Sequence, residues 1–342
     1  VEKKLLIKIE DIKPSRPDFR VIGIFNPGVI RFNHKIIMLA RVAEARINDD
    51  DAHIIIPMYR DRDYSFLKIA SDDPNFDFSD CRVIRNHEQN YLSSISHFRV
   101  GYSNDGIHFK FDEAPILPSS IYEEYGIEDP RITFINNRYY ITYTAVSTHG
   151  INVALMVTDD FKTFEHLGNI FPFDNKDCVI FPQKIGDYYY AYHRPSKSDF
   201  GKLDIWLARS TNLIHWGEHK VMPEARTSYG NNVRFGAGAV PFLTTRGWVI
   251  IYHCADKKHH YHLTAMLVNK DDPSKVLMKS KAPLIEPSEP YDKNGFVPEV
   301  IFTCGLINDE KGICVYYGAG DQQIASCRLT YEELFANMEA VV

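Results

Sequence analysis

Long apolar runs are missing from this chain. No stretch approaches the roughly 18 consecutive apolar residues that a membrane span requires, and the opening from Val1 to Asp11 lacks the apolar core and cleavage site of a secretory leader. A cytoplasmic location without a membrane partner is expected. Cysteine is scarce and dispersed: the six residues Cys81, Cys178, Cys254, Cys304, Cys314 and Cys327 form no Cys-x-x-Cys pair and mostly sit in apolar runs, which predicts reduced, buried thiols. A basic excess is also absent. With 39 Lys and Arg against 45 Asp and Glu, the net charge of −6 argues against a general nucleic-acid binder, whose affinity for phosphates needs a basic surface. Gly-x-Gly-x-x-Gly, Walker and Gly-x-Ser-x-Gly motifs do not occur, so nucleotide folds and serine hydrolases have no support. Among 14 histidines the only cluster, Lys257-Lys-His-His-Tyr-His262, lacks Cys or carboxylate partners at ligand spacing, so no metal is expected and the segment reads as a rim loop.

What remains is an ordinary globular composition, 44% hydrophobic and 25% charged, which excludes a collagen, a coiled coil or a disordered tail. The length of 342 residues would suggest two domains at about 150 residues each, but closed β architectures run longer as one unit, so internal repetition has to decide. One unit recurs as a β-rich hairpin around a short polar turn: Gly28–Arg41, Arg131–Tyr143, Val179–Tyr192, Val240–Tyr252 and Val300–Tyr316. After each comes an alternating strand ending in a polar turn: Val100–Phe109, Ala154–Phe164, Ile205–Trp216, then weaker copies at Thr264–Pro273 and Ile324–Leu329. The later units repeat every 50 to 60 residues or so, a spacing that suits a four-stranded propeller blade and is too long for leucine-rich or helical repeats. The reading is all-β: a five-bladed β-propeller spanning residues 1–342 as one domain, with insertion loops at about 48–94 around one rim. Helix signals are sparse, and only Thr330-Tyr-Glu-Glu333 shows a capping box, which predicts a short C-terminal helix.

Propeller ligands bind where inner strands and their loops converge, so polar groups at hairpin edges are the first candidates. These edges carry Asn26, Arg41, Asp129, Arg131, Arg194, His253 and Asp321. Asp129 stands in Gly126-Ile-Glu-Asp-Pro-Arg131, where Pro130 restrains the backbone and orients the carboxylate, as a general acid requires. A turn Asp bonding its own backbone is the bland alternative, and its place among other polar edges favours the acid. Lys176, Arg194, Arg234 and His253 recur at the same edge type and, projected into one channel, would form a pocket for a tetrahedral oxyanion such as phosphate. Rim tyrosines Tyr122, Tyr125, Tyr229 and Tyr261 suit stacking on sugar rings, although packing is the better account of any single one of them.

The ordered set Asn26-Pro-Gly-Val29, Ile127-Glu-Asp-Pro-Arg-Ile132, Lys176-Asp-x-x-x-Phe-Pro182, His193-Arg-Pro195, His215-Trp-Gly-Glu-His219, Gly236-Ala-Gly-Ala239, Gly247-Trp-x-x-x-Tyr-His253 and Tyr317-Gly-Ala-Gly-Asp321 resembles the inverting β-mannoside phosphorylases of glycoside hydrolase family 130. The resemblance implies a five-bladed propeller that cleaves a terminal β-mannosidic bond with inorganic phosphate and releases α-mannose 1-phosphate. It implies Asp129 as general acid, relaying its proton through a mannose hydroxyl. Lys176, Arg194, Arg234 and His253 would bind phosphate; Asn26, Arg41, Arg131 and Asp321 would contact substrate. The implied partners are a β-mannooligosaccharide and phosphate, the latter a co-substrate, with no other cofactor; a homo-oligomer is left open. The Lys-Asp-x-x-x-Phe-Pro form resembles the members that act on β-1,2 linkages. Lys176 stands where many members carry Arg, which keeps the charge but loses the bidentate fork. Two alternatives stay open: an inverting β-1,2-mannosidase of the same family, for which Glu224 and Glu299 would be the extra carboxylates, and a carbohydrate-binding propeller without catalysis.

Overall fold

Every hairpin read from the sequence supplies the two inner strands of a separate antiparallel sheet in the computed structural model, which describes residues 2–196 and 200–341. Five such sheets stand in a ring as the blades of a propeller. Blade I is built from Phe19–Phe32, Lys35–Arg46, Ile95–Ser103 and Lys110–Phe111. Blade II comprises Ile127–Ile135, Arg138–Ser147, Gly150–Thr158 and Glu165–Phe171, and blade III Asn175–Ile180, Tyr189–Pro195, Trp206–Ser210 and Gly217–Val221. Blade IV orders Arg234–Ala237, Gly247–Ala255, Tyr261–Val268 and Val276–Ser280, with Phe242–Thr244 continuing its inner edge.

Blade V joins the two chain ends. Its strands Ile301–Asp309, Gly312–Ala319 and Gln323–Thr330 are completed by the N-terminal strand Glu2–Ile7, in register from Glu2 opposite Arg328 to Leu5 opposite Ala325. Lys3 Nζ reinforces the seam by pairing with the buried Asp292 at 2.6 Å. The capping box forms as expected: Glu333 N donates to Thr330 Oγ1 at 3.1 Å and Thr330 N to Glu333 Oε2 at 2.7 Å, opening the helix Tyr331–Ala336. Leu334 of that helix enters the core between blades IV and V, and Met338–Ala340 then pairs with the outer strand of blade IV.

The core lies between blades, so both faces of each central strand are apolar. In Gly247–Ala255, Val249 and Ile251 pack toward blade V, while Trp248, Ile250 and Tyr252 pack toward blade III. This double burial explains why the strand reads as a continuous apolar run rather than as an alternation. The buried polar tips find carbonyls: Trp248 Nε1 donates to Lys270 O at 3.1 Å and Tyr252 OH to Ala225 O at 2.8 Å.

Between the second and third strands of blade I the chain makes two extra hairpins, His53–Arg60 with Asp63–Ala70 and Val83–Arg85 with Asn90–Leu92. They share a small core of Ile56, Met58, Ile69 and Ile84 with Tyr125 of the adjoining segment, and Arg60 pairs with Glu124 there. The cysteines are all free; Cys81, in this insertion, is exposed, contrary to the expectation of buried thiols, because it sits on a turn outside the apolar runs.

Candidate active site

Three inner strands carry the same local device. The ladder shifts register between Phe25 and Gly28 in blade I, between Glu128 and Arg131 in blade II, and between Lys176 and Val179 in blade III. At each shift one residue takes a left-handed backbone: Asn26 with φ 49°, Asp129 with φ 53° and Asp177 with φ 54°. Asn and Asp are the non-glycine residues that tolerate this region best, and a bulge re-aims the side chain it carries. The repeated Asn/Asp positions are thus a backbone requirement and a functional opportunity at once.

The first two devices meet. Asp129 Oδ1 accepts hydrogen bonds from Asn26 Nδ2 at 2.9 Å and from Arg41 NH1 at 3.1 Å. Arg41 NH2 also donates to Glu128 Oε1 at 2.7 Å, and its guanidinium lies over the Phe25 ring at 4.6 Å. Asn26 and Arg41 thus both engage Oδ1 and fix the orientation of the Asp129 carboxyl. Burial pushes the Glu128 carboxyl up, as does Asp129 beside it, against the pull of Arg41. Gly318, in the Tyr-Gly-Ala-Gly-Asp motif, has no room for a side chain, since a Cβ there would collide with Asn26 Oδ1.

Asp177, the third device, is the hub of a buried charge cluster. Its Oδ2 accepts from Arg194 Nε at 2.8 Å and lies 3.3 Å from His253 Nε2, while Oδ1 accepts from Arg131 NH2 at 3.3 Å. Burial alone would push its carboxyl up, but Arg194, His253 and Arg131 overcome it and hold the carboxyl well below the usual range. The stability this pairing contributes is therefore present above the unfolded Asp value and is lost as pH falls through the folded one. Gly236 makes the cluster sterically feasible: it lies opposite His253 in the ladder, and a Cβ would strike both Asp177 Oδ2 and His253 Nε2.

Lys176 and Arg194 are cross-strand partners at the blade III edge. Burial, then the neighbouring Arg194, lowers the Lys176 ammonium, with Asp177, Glu128 and Asp129 opposing. Arg234 sits farther out on blade IV, bonded through NH1 to Tyr261 OH and, at 3.1 Å, to His259 Nδ1 of the histidine-rich loop. It borders an open groove of about 630 Å³ with Lys202, Lys257 and His259.

Two expected ligand contacts, Arg131 and His253, are buried beside Asp177. Arg131 is 1% exposed and spends its guanidinium on the protein, donating to Asp129 O, Ala237 O, Gly238 O and Asp177. These bonds make it a strut joining blades II, III and IV. His253 is fully buried, flanked by Phe302 at 4.3 Å between ring centroids, and burial lowers its imidazole below the ordinary value. Its Nε2 lies 3.3 Å from Asp177 Oδ2, which ties it to the charge cluster. Of the rim tyrosines, Tyr125 is buried, Tyr229 donates to Thr264 Oγ1 at 2.7 Å and Tyr261 packs against His253 and Phe302, while Tyr122 is exposed. Glu224 is exposed on a short 3-10 turn, and neither it nor Glu299 pairs with Asp129, Lys176 or Arg194 among the described residues.

Asp321 lines a cavity of about 70 Å³ with Arg41 and Glu128. Burial pushes its carboxyl up to about 6, with Arg41 pulling the other way. Sequence reasoning assigned no role to Asp177 or Glu128. Asp177 was detectable as the third member of the series Asn26, Asp129, Asp177 at the heads of successive hairpins.

A family model described as beta-1,4-mannooligosaccharide phosphorylase, of glycoside hydrolase family 130, matches residues 81–340. The chain belongs to glycoside hydrolase family 130. It is similar to a beta-1,2-mannobiose phosphorylase of Listeria innocua, 40% identical over 345 residues that cover 99% of this chain and 97% of that protein. A 1,2-beta-oligomannan phosphorylase of Thermoanaerobacter is 34% identical, covering 69% of this chain and 80% of its own. The solved structure of the Listeria innocua enzyme with beta-1,2-mannobiose superposes with a TM-score of 0.93 over 97% of this chain and 96% of that one.

Proposed function

We propose that this chain cleaves terminal β-1,2-mannosidic bonds with inorganic phosphate, inverting the anomeric centre and releasing α-mannose 1-phosphate. The observation that carries the reading is the division of charge across the site: one oriented acid, Asp129, stands at blade II, and the cation pair Lys176 and Arg194 at blade III. An inverting hydrolase needs a second carboxylate as base to activate water. Phosphate is already an anionic nucleophile, so phosphorolysis needs cations there instead. In this mechanism a phosphate oxygen forms the new bond to C1 from the face opposite the aglycone. The C1–O bond breaks, and the departing oxygen receives the proton of Asp129, directly or through a mannose hydroxyl. The β-1,2 linkage follows the relatives at 40% and 34% identity, whose names carry it, rather than the β-1,4 description of the family model.

Incubation with β-1,2- and β-1,4-mannobiose, each with and without phosphate, tests the reading. Consumption of the β-1,2 disaccharide only with phosphate, with mannose 1-phosphate formed, is expected. Equal release of free mannose in both conditions would establish hydrolysis instead.

Arg194→Ala should raise the KM for phosphate roughly ten- to hundredfold, the cost of one charge-assisted hydrogen-bonding group at about 1.5–3 kcal/mol. The KM for the mannoside should change much less. Because Arg194 also pairs with buried Asp177, Arg194→Lys and a thermal melt belong in the same experiment. A lower Tm with an unchanged ratio of the two KM values would assign Arg194 a purely structural role.

A further inference from the structure

The blade I insertion brings a cation into the site that none of the motifs contains. Arg82 precedes the strand Val83–Arg85 and lines the 70 Å³ cavity together with Arg41, Glu128 and Asp321. Its guanidinium is held from behind: Asp80 accepts from Nε at 3.1 Å and from NH2 at 3.3 Å, which leaves NH1 outside the fork. The backbone is pinned as well, with Ser93 N donating to Arg82 O at 3.0 Å and Arg82 N to Asp80 Oδ1 at 2.9 Å. The side chain stays 40% exposed, so it is both oriented and accessible. Its charge acts on Asp321 of blade V, Glu128 of blade II and His259 of the blade IV loop, which places it over the meeting point of three blades.

The chemistry of the cavity fits a sugar better than an anion. Two carboxylates, Glu128 and Asp321, would repel phosphate, whereas they accept hydrogen bonds from hydroxyls, and Arg41 and Arg82 donate to the same hydroxyls. Phe25 and Phe296 supply apolar walls for the C–H face of a ring. We propose that Arg82 is a specificity-determining residue that binds the mannoside, fixed by Asp80 so that it donates to sugar hydroxyls opposite Asp321. This inference rests on the mannoside reading of the site given above. It has a second consequence. The groups facing Asp321 are Arg41 on blade I, Arg82 on the insertion, and Glu128 and Asp129 on blade II; the two arginines favour its ionised form and the two carboxylates oppose it. An ionised Asp321 accepts hydroxyl protons from two directions, and removing Arg82 takes away one of the cations that keep it ionised.

Arg82→Ala should raise the KM for β-1,2-mannobiose roughly ten- to hundredfold and change the KM for phosphate by no more than about twofold. The acid limb of kcat/KM should move to higher pH, because Asp321, already pushed up to about 6, would rise further and lose its charge in the neutral range. Asp80→Asn, which loosens the fork without removing the guanidinium, should give the same signature at smaller amplitude. Equal rises in both KM values, or no rise in either, would overturn the proposal; an unmoved acid limb would overturn the coupling to Asp321. Direct binding of β-1,2-mannobiose without phosphate, measured by calorimetry on wild type and Arg82→Ala, separates this inference from the reading beneath it. If the wild type binds the disaccharide but forms no mannose 1-phosphate, phosphorolysis fails while the affinity ratio still decides Arg82. A ratio near one sinks the role of Arg82 alone.

Discussion

Asp129→Asn should lower kcat on β-1,2-mannobiose by roughly 10²–10⁴, the usual loss when a positioned general acid is removed. The amide is nearly isosteric and keeps an oxygen to accept from Asn26 Nδ2 and Arg41 NH1, so the site should hold its shape. Arg41 also keeps Glu128 as a partner and is not stranded. On the proposed mechanism, what is lost is the carboxyl proton donated to the departing sugar oxygen, which an amide cannot supply. A mannoside with a leaving group that needs no proton should recover much of the rate, while KM for phosphate should stay near its wild-type value. Near-wild-type turnover of the unactivated disaccharide would place the acid elsewhere.

Replacing Asp177 by Ala is expected to have the largest effect on stability. It removes the counter-charge of Arg131 and Arg194, 1% and 6% exposed, and withdrawing one partner from a buried ionic cluster costs about 3–5 kcal/mol. A thermal melt should show a lowered Tm. Kinetics on the surviving folded enzyme should show a raised KM for phosphate, because Arg194 loses the contact that orients it. A melt superimposable on wild type would mean that Arg131 and Arg194 find other partners, and that Asp177 is not the hub the geometry shows.

The hairpin repeat was readable because the two inner strands of each blade follow one another in the chain, and in the later blades their turns and apolar runs recur at a similar interval. The C-terminal capping box was readable for the same reason, since Thr330 and Glu333 bond across three residues. The bulge series was half visible. Asn26-Pro and Asp129-Pro stand out through the proline that follows, whereas Asp177 is followed by Cys178 and lacks that signal. The protein partners of Arg131 were not legible, because composition and motif cannot say on which side of a bulge a side chain emerges. Here it turns inward to the carbonyls of blade IV.

The sequence by itself determined the number of blades, the hairpin and following strand of each, the closing helix and which residue types crowd the hairpin edges, all of which follow from interactions between near neighbours. Only the tertiary structure decided which edges meet. Asn26 reaches Asp129 across 103 positions, Arg131 reaches Gly238 across 107, and Arg82 shares a cavity with Asp321 from the far end of the chain. Ring closure brings these groups together, and burial within the ring then determines their charge. Carboxyls that would titrate alike in water are driven apart, Asp177 downward by the cations around it and Asp321 upward by its loss of water.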